Sequence, residues 1–288
     1  MQESRAITRK SASNLVLGFR FLPEAKRDGM SALYAFCREV DDVADEQNIP
    51  IEKRREQLIA WREDVRRACG PEVPQFAVNR ELQEAIRRYR LPFEYFDALL
   101  QGVEMDLEIT RYADYDQLEL YCYRVASVVG LLSIEIFGYT DPACRNYAIY
   151  LGKALQLTNI LRDVQIDAER GRIYLPESEM NRFGIKPDEL LRGEYSSRFA
   201  ELGHSVAERA SHFYRLASKT LPAADRRSMA AAELMGAVYW RLLRKLEHRR
   251  FNVFGATPVR LTKLQKLMLV MRTGCRIALG AMTPNYGV

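Results

Sequence analysis

Apolar residues recur at three- and four-residue spacing over most of the chain, in segments near 24–45, 51–69, 76–90, 93–109, 115–137, 143–168, 197–220, 223–250 and 261–279. That spacing predicts amphipathic helices. Prolines and glycines fall mainly at the joints: Pro23, Pro50, Pro71, Pro74, Pro92, Pro142, Gly171, Pro176, Pro187, Pro222 and Pro258. No run alternates apolar and polar residues as a half-buried strand does. A length of 288 residues leaves one or two domains open. Continuous helices with short joints and no break in composition predict one all-α domain, a helical bundle spanning 1–288. The least helical stretch, 169–193, carries Gly171, Pro176, Gly184, Pro187 and Gly193 and reads as a lid or a long connection. No solenoid repeat or low-complexity tract interrupts the pattern.

Two of the helical segments carry acidic stripes. In ALYAFCREVDDVADE, residues 32–46, Tyr34, Arg38, Asp41 and Asp45 stand at offsets 0, 4, 7 and 11 and share one face, with Asp42 beside them. Leu33, Phe36, Val40 and Val43 supply a separate apolar surface. In residues 151–176, Gln156, Asn159, Asp163 and Asp167 stand at offsets 0, 3, 7 and 11, and the rest of that helix is Leu, Ile and Val. Like charges one turn apart cost an isolated helix a few tenths of a kcal/mol, so the repeated pattern needs a compensating partner. One Asp-x-x-x-Asp is ordinarily a solvated face paired with nearby arginines. Two such stripes in otherwise apolar helices put oxygen donors where a bundle interior is expected.

Hard divalent cations are the natural partner. Mg²⁺ takes oxygen ligands and bridges carboxylates to substrate phosphates, and the neighbouring Arg38 and Arg162 could clamp phosphate oxygens. The chemistry this suits is ionisation of an allylic diphosphate, where negative charge grows on the leaving group.

Composition and charge narrow the remaining classes. Five cysteines, Cys37, Cys69, Cys122, Cys144 and Cys275, are odd in number and never form Cys-x-x-Cys, so they read as reduced thiols. The longest charge-free runs fall short of the ~18–20 apolar residues that a bilayer requires, which predicts no spanning helix. The start, MQESRAITRK, does not resemble a secretory signal, so a cytoplasmic protein is expected. From Tyr239 onward ten basic residues and the single acid Glu247 give +9; with +5 for the whole chain, the remainder carries −4. This basic, Leu- and Met-rich end is expected either to lie on an anionic membrane surface or to pack as a helix with a solvated basic face. Without an aromatic-interleaved basic stripe or a binding motif, no nucleic-acid partner is expected.

YAFCREVDDVADE together with QLTNILRDVQIDAERGRIYLP resembles the paired signatures of the squalene/phytoene synthase family, the head-to-head prenyl diphosphate synthases. The likeness extends to FLPEAKRDGMSALYAFCREVDD, ELYCYRVASVVG, LMGAVYWRLLRKLE and VRLTKLQKLMLVMR, and is greatest to the presqualene diphosphate synthases of the hopanoid pathway. The resemblance implies a class I isoprenoid synthase bundle with a central apolar cavity. It implies that Asp41, Asp42, Asp45, Asp163 and Asp167, with Asn159, hold Mg²⁺ (Mn²⁺ as a substitute). It further implies that Arg38, Arg162, Gln156, Asn159 and Arg172 position diphosphates, and that Tyr34, Tyr121, Tyr174 and Tyr239 surround the reacting chains. The sequence departs from the family pattern at Ser13, Asn14, Leu15 and Val16, and at Pro258, where many relatives carry Arg. Arg260 is assigned the lost phosphate contact.

The implied reaction joins two farnesyl diphosphates into presqualene diphosphate. Phytoene synthesis from two geranylgeranyl diphosphates is the near alternative, and squalene or dehydrosqualene synthesis another. With no Gly-x-Gly-x-x-Gly fingerprint, NADPH is not expected. Asn159, Asp163 and Asp167 also fit the 0, 4, 8 spacing of a terpene cyclase, and a non-catalytic scaffold is the remaining class. Oligomeric state is not legible.

Overall fold

The computed structural model describes residues 1–10, 18–19, 22–255, 257–279 and 284–287. Residues Ser13, Asn14, Leu15 and Val16 lie outside them. Helices account for nearly all the regular structure: α1 (Gln2–Lys10), α2 (Glu24–Asp45), α3 (Ile51–Cys69), α4 (Ala77–Tyr89), α5 (Phe93–Glu108), α6 (Tyr115–Cys122), α7 (Val128–Phe137), α8 (Ala143–Glu169), α9 (Glu177–Arg182), α10 (Pro187–Leu191), α11 (Ser197–Thr220), α12 (Ala230–His248) and α13 (Lys263–Ala278). No strand occurs among the described residues.

The 27-residue α8 is the central post. Its buried Leu151, Ala154, Leu157, Ile160, Leu161 and Val164 pack against α11, α7 and α12. One five-residue π-turn, Tyr123–Ser127, joins α6 to α7 within a continuous helical run. Gly152 permits the crossing of α8 over that turn: a Cβ there would stand 2.6 Å from the Ser127 Cα, closer than packed atoms approach.

Two segments differ from the sequence expectation, and in a third the structure selects one of the two alternatives. Helix α1 lacks an apolar stripe because small polar residues dock it: Ser4 and Thr8 are its buried positions, and the Glu81 carboxylate accepts from the Glu3 and Ser4 amides at 3.1 and 2.8 Å. The expected helix at 223–250 begins only at Ala230. Buried Asp225 accepts from the Thr140 amide and hydroxyl at 2.8 Å and from the Asp141 amide at 2.9 Å, which holds the chain in a 3-10 turn. The third, 169–193, is an ordered connection containing α9 and α10. Its Ile173, Tyr174, Leu175, Met180, Ile185 and Leu190 are core residues, and Gly171, Gly184 and Gly193 turn the chain at positive φ.

The run Tyr115–Phe137 has the length and mean hydropathy, 1.5, to cross a bilayer. Counting charge-free runs missed it because Asp116, Glu119, Arg124 and Glu135 interrupt it. Two of them are paired internally: Glu119 accepts from Lys153 at 2.6 Å and Arg209 at 2.5 Å, and Glu135 accepts from Arg145 and Tyr139. Half of the apolar window is buried in the bundle, as expected for a core helix.

A single parallel bridge, Arg111 to Ile173, clamps the chain after α5 beside the chain after α8. The Ile173 amide donates to Thr110 O at 3.0 Å and the Glu177 amide to Tyr112 O at 2.8 Å. This clamp sets Tyr112, Arg172 and Tyr174 against the C-terminal ends of α2 and α5.

Candidate active site

On α2, one turn separates each of Tyr34, Arg38, Asp41 and Asp45. Arg38 Nη1 lies 3.3 Å from Asp41 Oδ2, and Nη2 pairs with Asp42. Asp41 exposes 51% of its side chain, yet burial and then Asp45 push its pKa from 3.8 up to about 7 despite Arg38. Cys37, one turn earlier, is half-buried and its thiol is likewise pushed up by burial, to about 12. The Tyr34 ring meets Phe19 edge-on at 6.3 Å.

The facing stripe lies on α8. Asn159 Nδ2 is 3.5 Å from Gln156 Oε1, while Asn159 Oδ1 is buried with no hydrogen-bond partner. Arg162 grips Asp163, with Nε donating to Oδ1 at 2.7 Å and Nη2 to Oδ2. Burial and Asp163 raise Asp167 to about 8, although Arg172 pulls it down. Tyr239 of α12 is buried, interacts with both Arg162 and Asn159, and is held above its usual range by that burial.

The turn after α8 reaches the first stripe at Asp45. Arg170 donates to its Oδ2 and Arg172 to its Oδ1, each at 2.8 Å, and Arg172 also donates to Ala44 O at 3.0 Å. Beneath them lies Asp106, which the sequence reading did not select. It accepts from Tyr174 at 2.6 Å and from Tyr121 at 3.0 Å, and burial raises it to about 6 against the pull of Tyr174 and Arg172. Tyr174 stacks on Tyr121 at 5.1 Å and on Tyr112 at 5.6 Å, and those two rings lie 5.5 Å from each other. Asp106 stands at i+7 from buried Leu99 and i+3 from buried Val103, so an acid on the apolar stripe of α5 was the available signal.

Arg260 stays apart. It is exposed, its carbonyl accepts from Lys245 at 2.6 Å, and its charge bears on Lys266; no contact among the described residues ties it to the aspartates.

Among the described residues no three His, Cys, Asp or Glu side chains converge into a ready metal site, because arginines occupy the carboxylates. The donor chemistry nevertheless fits a hard cation. Asn159 presents an unsatisfied buried oxygen, and Asp41 and Asp167 are raised by burial and neighbouring carboxylates, strain that positive charge relieves. Asp167, Arg172, Tyr174 and Ile160 border a void of about 10 Å³, room for one water.

The squalene/phytoene synthase family model matches residues 8–265. The chain is similar to a presqualene diphosphate synthase of Rhodopseudomonas palustris, 37% identical over 90% of this chain and 92% of that one. It is similar to a phytoene synthase of Mycobacterium tuberculosis, 38% identical over 83% of this chain and 79% of that one. Among solved structures, a dehydrosqualene synthase in complex with ligand superposes with a TM-score of 0.86 at 27% identity, covering 96% of this chain and 95% of that one. Motif, fold and whole-length similarity agree: the chain belongs to the squalene/phytoene synthase family.

Proposed function

We propose that the protein joins two farnesyl diphosphates head to head, forming presqualene diphosphate. The observation that carries this reading is the bridging of Asp45, on the first stripe, by Arg170 and Arg172 of the turn that follows the second, beside a tyrosine stack. A relative named presqualene diphosphate synthase covers 90% of the chain.

In this reading Asp41, Asp42, Asp45, Asn159, Asp163 and Asp167 hold Mg²⁺. The bound cations neutralise charge on the departing diphosphate. Arg38, Arg162 and Arg172 orient diphosphate oxygens, aided by Gln156. The C1–oxygen bond of one substrate breaks, the C2–C3 double bond of the other attacks the allylic cation, and loss of one proton closes the cyclopropane. The ring faces of Tyr34, Tyr121, Tyr174 and Tyr239 stabilise the cation and exclude water. Burial, reinforced by Asp106, keeps Tyr121 and Tyr174 protonated. They therefore serve as ring faces, and the released diphosphate is the better proton acceptor.

Incubation of the purified chain with Mg²⁺ and either farnesyl or geranylgeranyl diphosphate, with and without NADPH, tests the reading. Presqualene diphosphate from the C15 substrate, unchanged by NADPH, is expected. A second reading, phytoene synthesis, is favoured by the mycobacterial relative of that name, 38% identical; exclusive use of the C20 substrate would establish it. Release of a cyclic product from a single substrate molecule would instead indicate a terpene cyclase.

A further inference from the structure

Helix α13 has two apolar sides. Leu269 and Val270 pack partly buried against the core, and Thr273 is buried. The opposite side shows Leu264, Leu267, Met268, Met271 and Leu279 at 65, 54, 53, 62 and 86% exposure. Positions 264, 267, 268 and 271 follow i, i+3, i+4, i+7 and make one contiguous stripe. The helix is fixed in this orientation from behind. Asn285 Nδ2 lies 3.5 Å from Thr273 Oγ1, and the next residue, Tyr286, is buried with its hydroxyl donating to Glu233 at 2.5 Å. The outward stripe is thus a standing feature of the folded protein.

Exposed Lys263 and Arg272 flank the stripe, and the chain from Arg249 to its last residue contains seven Lys or Arg and no Asp or Glu. That charge selects the occupant. A second copy docked by a two-fold axis would set like charges against each other, whereas an anionic surface neutralises them. Leucine and methionine on a basic helix are the side chains that enter the acyl boundary, and flexible methionines tolerate its irregularity.

We propose that the outward face of α13 docks on a lipid bilayer carrying anionic headgroups, with Leu264, Leu267, Met268 and Met271 entering the acyl boundary and Lys263 and Arg272 at headgroup level. This docking is independent of which prenyl diphosphate the active site takes.

Flotation of the full chain with vesicles tests it. The protein is expected to float with vesicles of equal parts phosphatidylcholine and phosphatidylglycerol, to stay behind with phosphatidylcholine alone, and to be released by high salt. Substituting Leu267→Gln with Met271→Gln should cut partitioning by about tenfold. Lys263→Gln with Arg272→Gln should cut it by roughly twentyfold. Because these side chains face outward, melting curves by circular dichroism should not move. Absence of flotation on the anionic vesicles, or binding that ignores salt and both double variants, overturns the proposal. So does dimerisation in free solution that Leu267→Gln with Met271→Gln abolishes, since the face would then belong to a second copy.

Discussion

Arg172 Nη1 stands 2.8 Å from Asp45 Oδ1 and so ties the turn after α8 to the end of α2. The guanidinium is buried, and a neutral replacement leaves the carboxylate with Arg170 alone. Arg172→Met is expected to cost about 2 kcal/mol of stability in urea denaturation, as loss of a largely buried charged hydrogen bond does. A variant as stable as the parent would show that this pair does not join the stripes.

Asp41→Asn and Asp163→Asn should each lower turnover at least about a thousandfold, because each removes negative charge from the proposed cation cluster. The far-ultraviolet circular dichroism should be retained. Normal turnover in both variants would point to the non-catalytic scaffold.

The raised carboxyls give a pH dependence of definite sign. Asp41 and Asp167 titrate at about 7 and about 8 in the fold, against an ordinary 3.8. The folded state holds more protons than the unfolded one between those limits, so these groups lower stability as pH rises from about 4 to about 8. Without added metal the melting temperature should fall over that window, and Asp167→Asn should flatten the fall. Mg²⁺ should raise the melting temperature more at pH 8 than at pH 5.5. Equal Mg²⁺ shifts at both pH values would contradict this.

Gly152→Ala places a Cβ 2.6 Å from the Ser127 Cα, a contact that only backbone movement relieves. The expected loss is about 2 kcal/mol by thermal or chemical denaturation. No loss would mean that the π-turn yields freely.

Helix periodicity revealed most of the architecture, because α2, α8 and their neighbours bury one apolar stripe each. It missed α1, which docks through Ser4 and the Glu81 carboxylate and leaves no apolar signature. It extended α12 too far upstream, since what stops that helix is Asp225 holding residues 140 and 141, a contact across 84 and 85 positions. In the site, spacing alone assembled each acidic stripe. The tie between Asp45 and the turn after α8, through Arg172, depends on the clamp between residues 111 and 173, which no local pattern encodes. Asp106 was hidden for the opposite reason: it is one of five acids on α5, and only its place on the buried stripe, where two tyrosine hydroxyls reach it, sets it apart. Arg260, chosen as a substitute for an absent arginine, is exposed, and its backbone carbonyl accepts from Lys245.

The pairing of Arg38 with Asp41 and Asp42, of Arg162 with Asp163, and of Arg170 and Arg172 with Asp45 leaves this cluster close to electroneutral by itself. In the proposed function, a cation that reaches Asp41, Asp42, Asp45 or Asp163 alone must evict a guanidinium, and a diphosphate that reaches those arginines alone must evict a carboxylate. Arriving together they perform an ion exchange, each accepting the partner that the other displaces. Loading is then synergistic, and a metal titration made without diphosphate understates the affinity that operates during turnover.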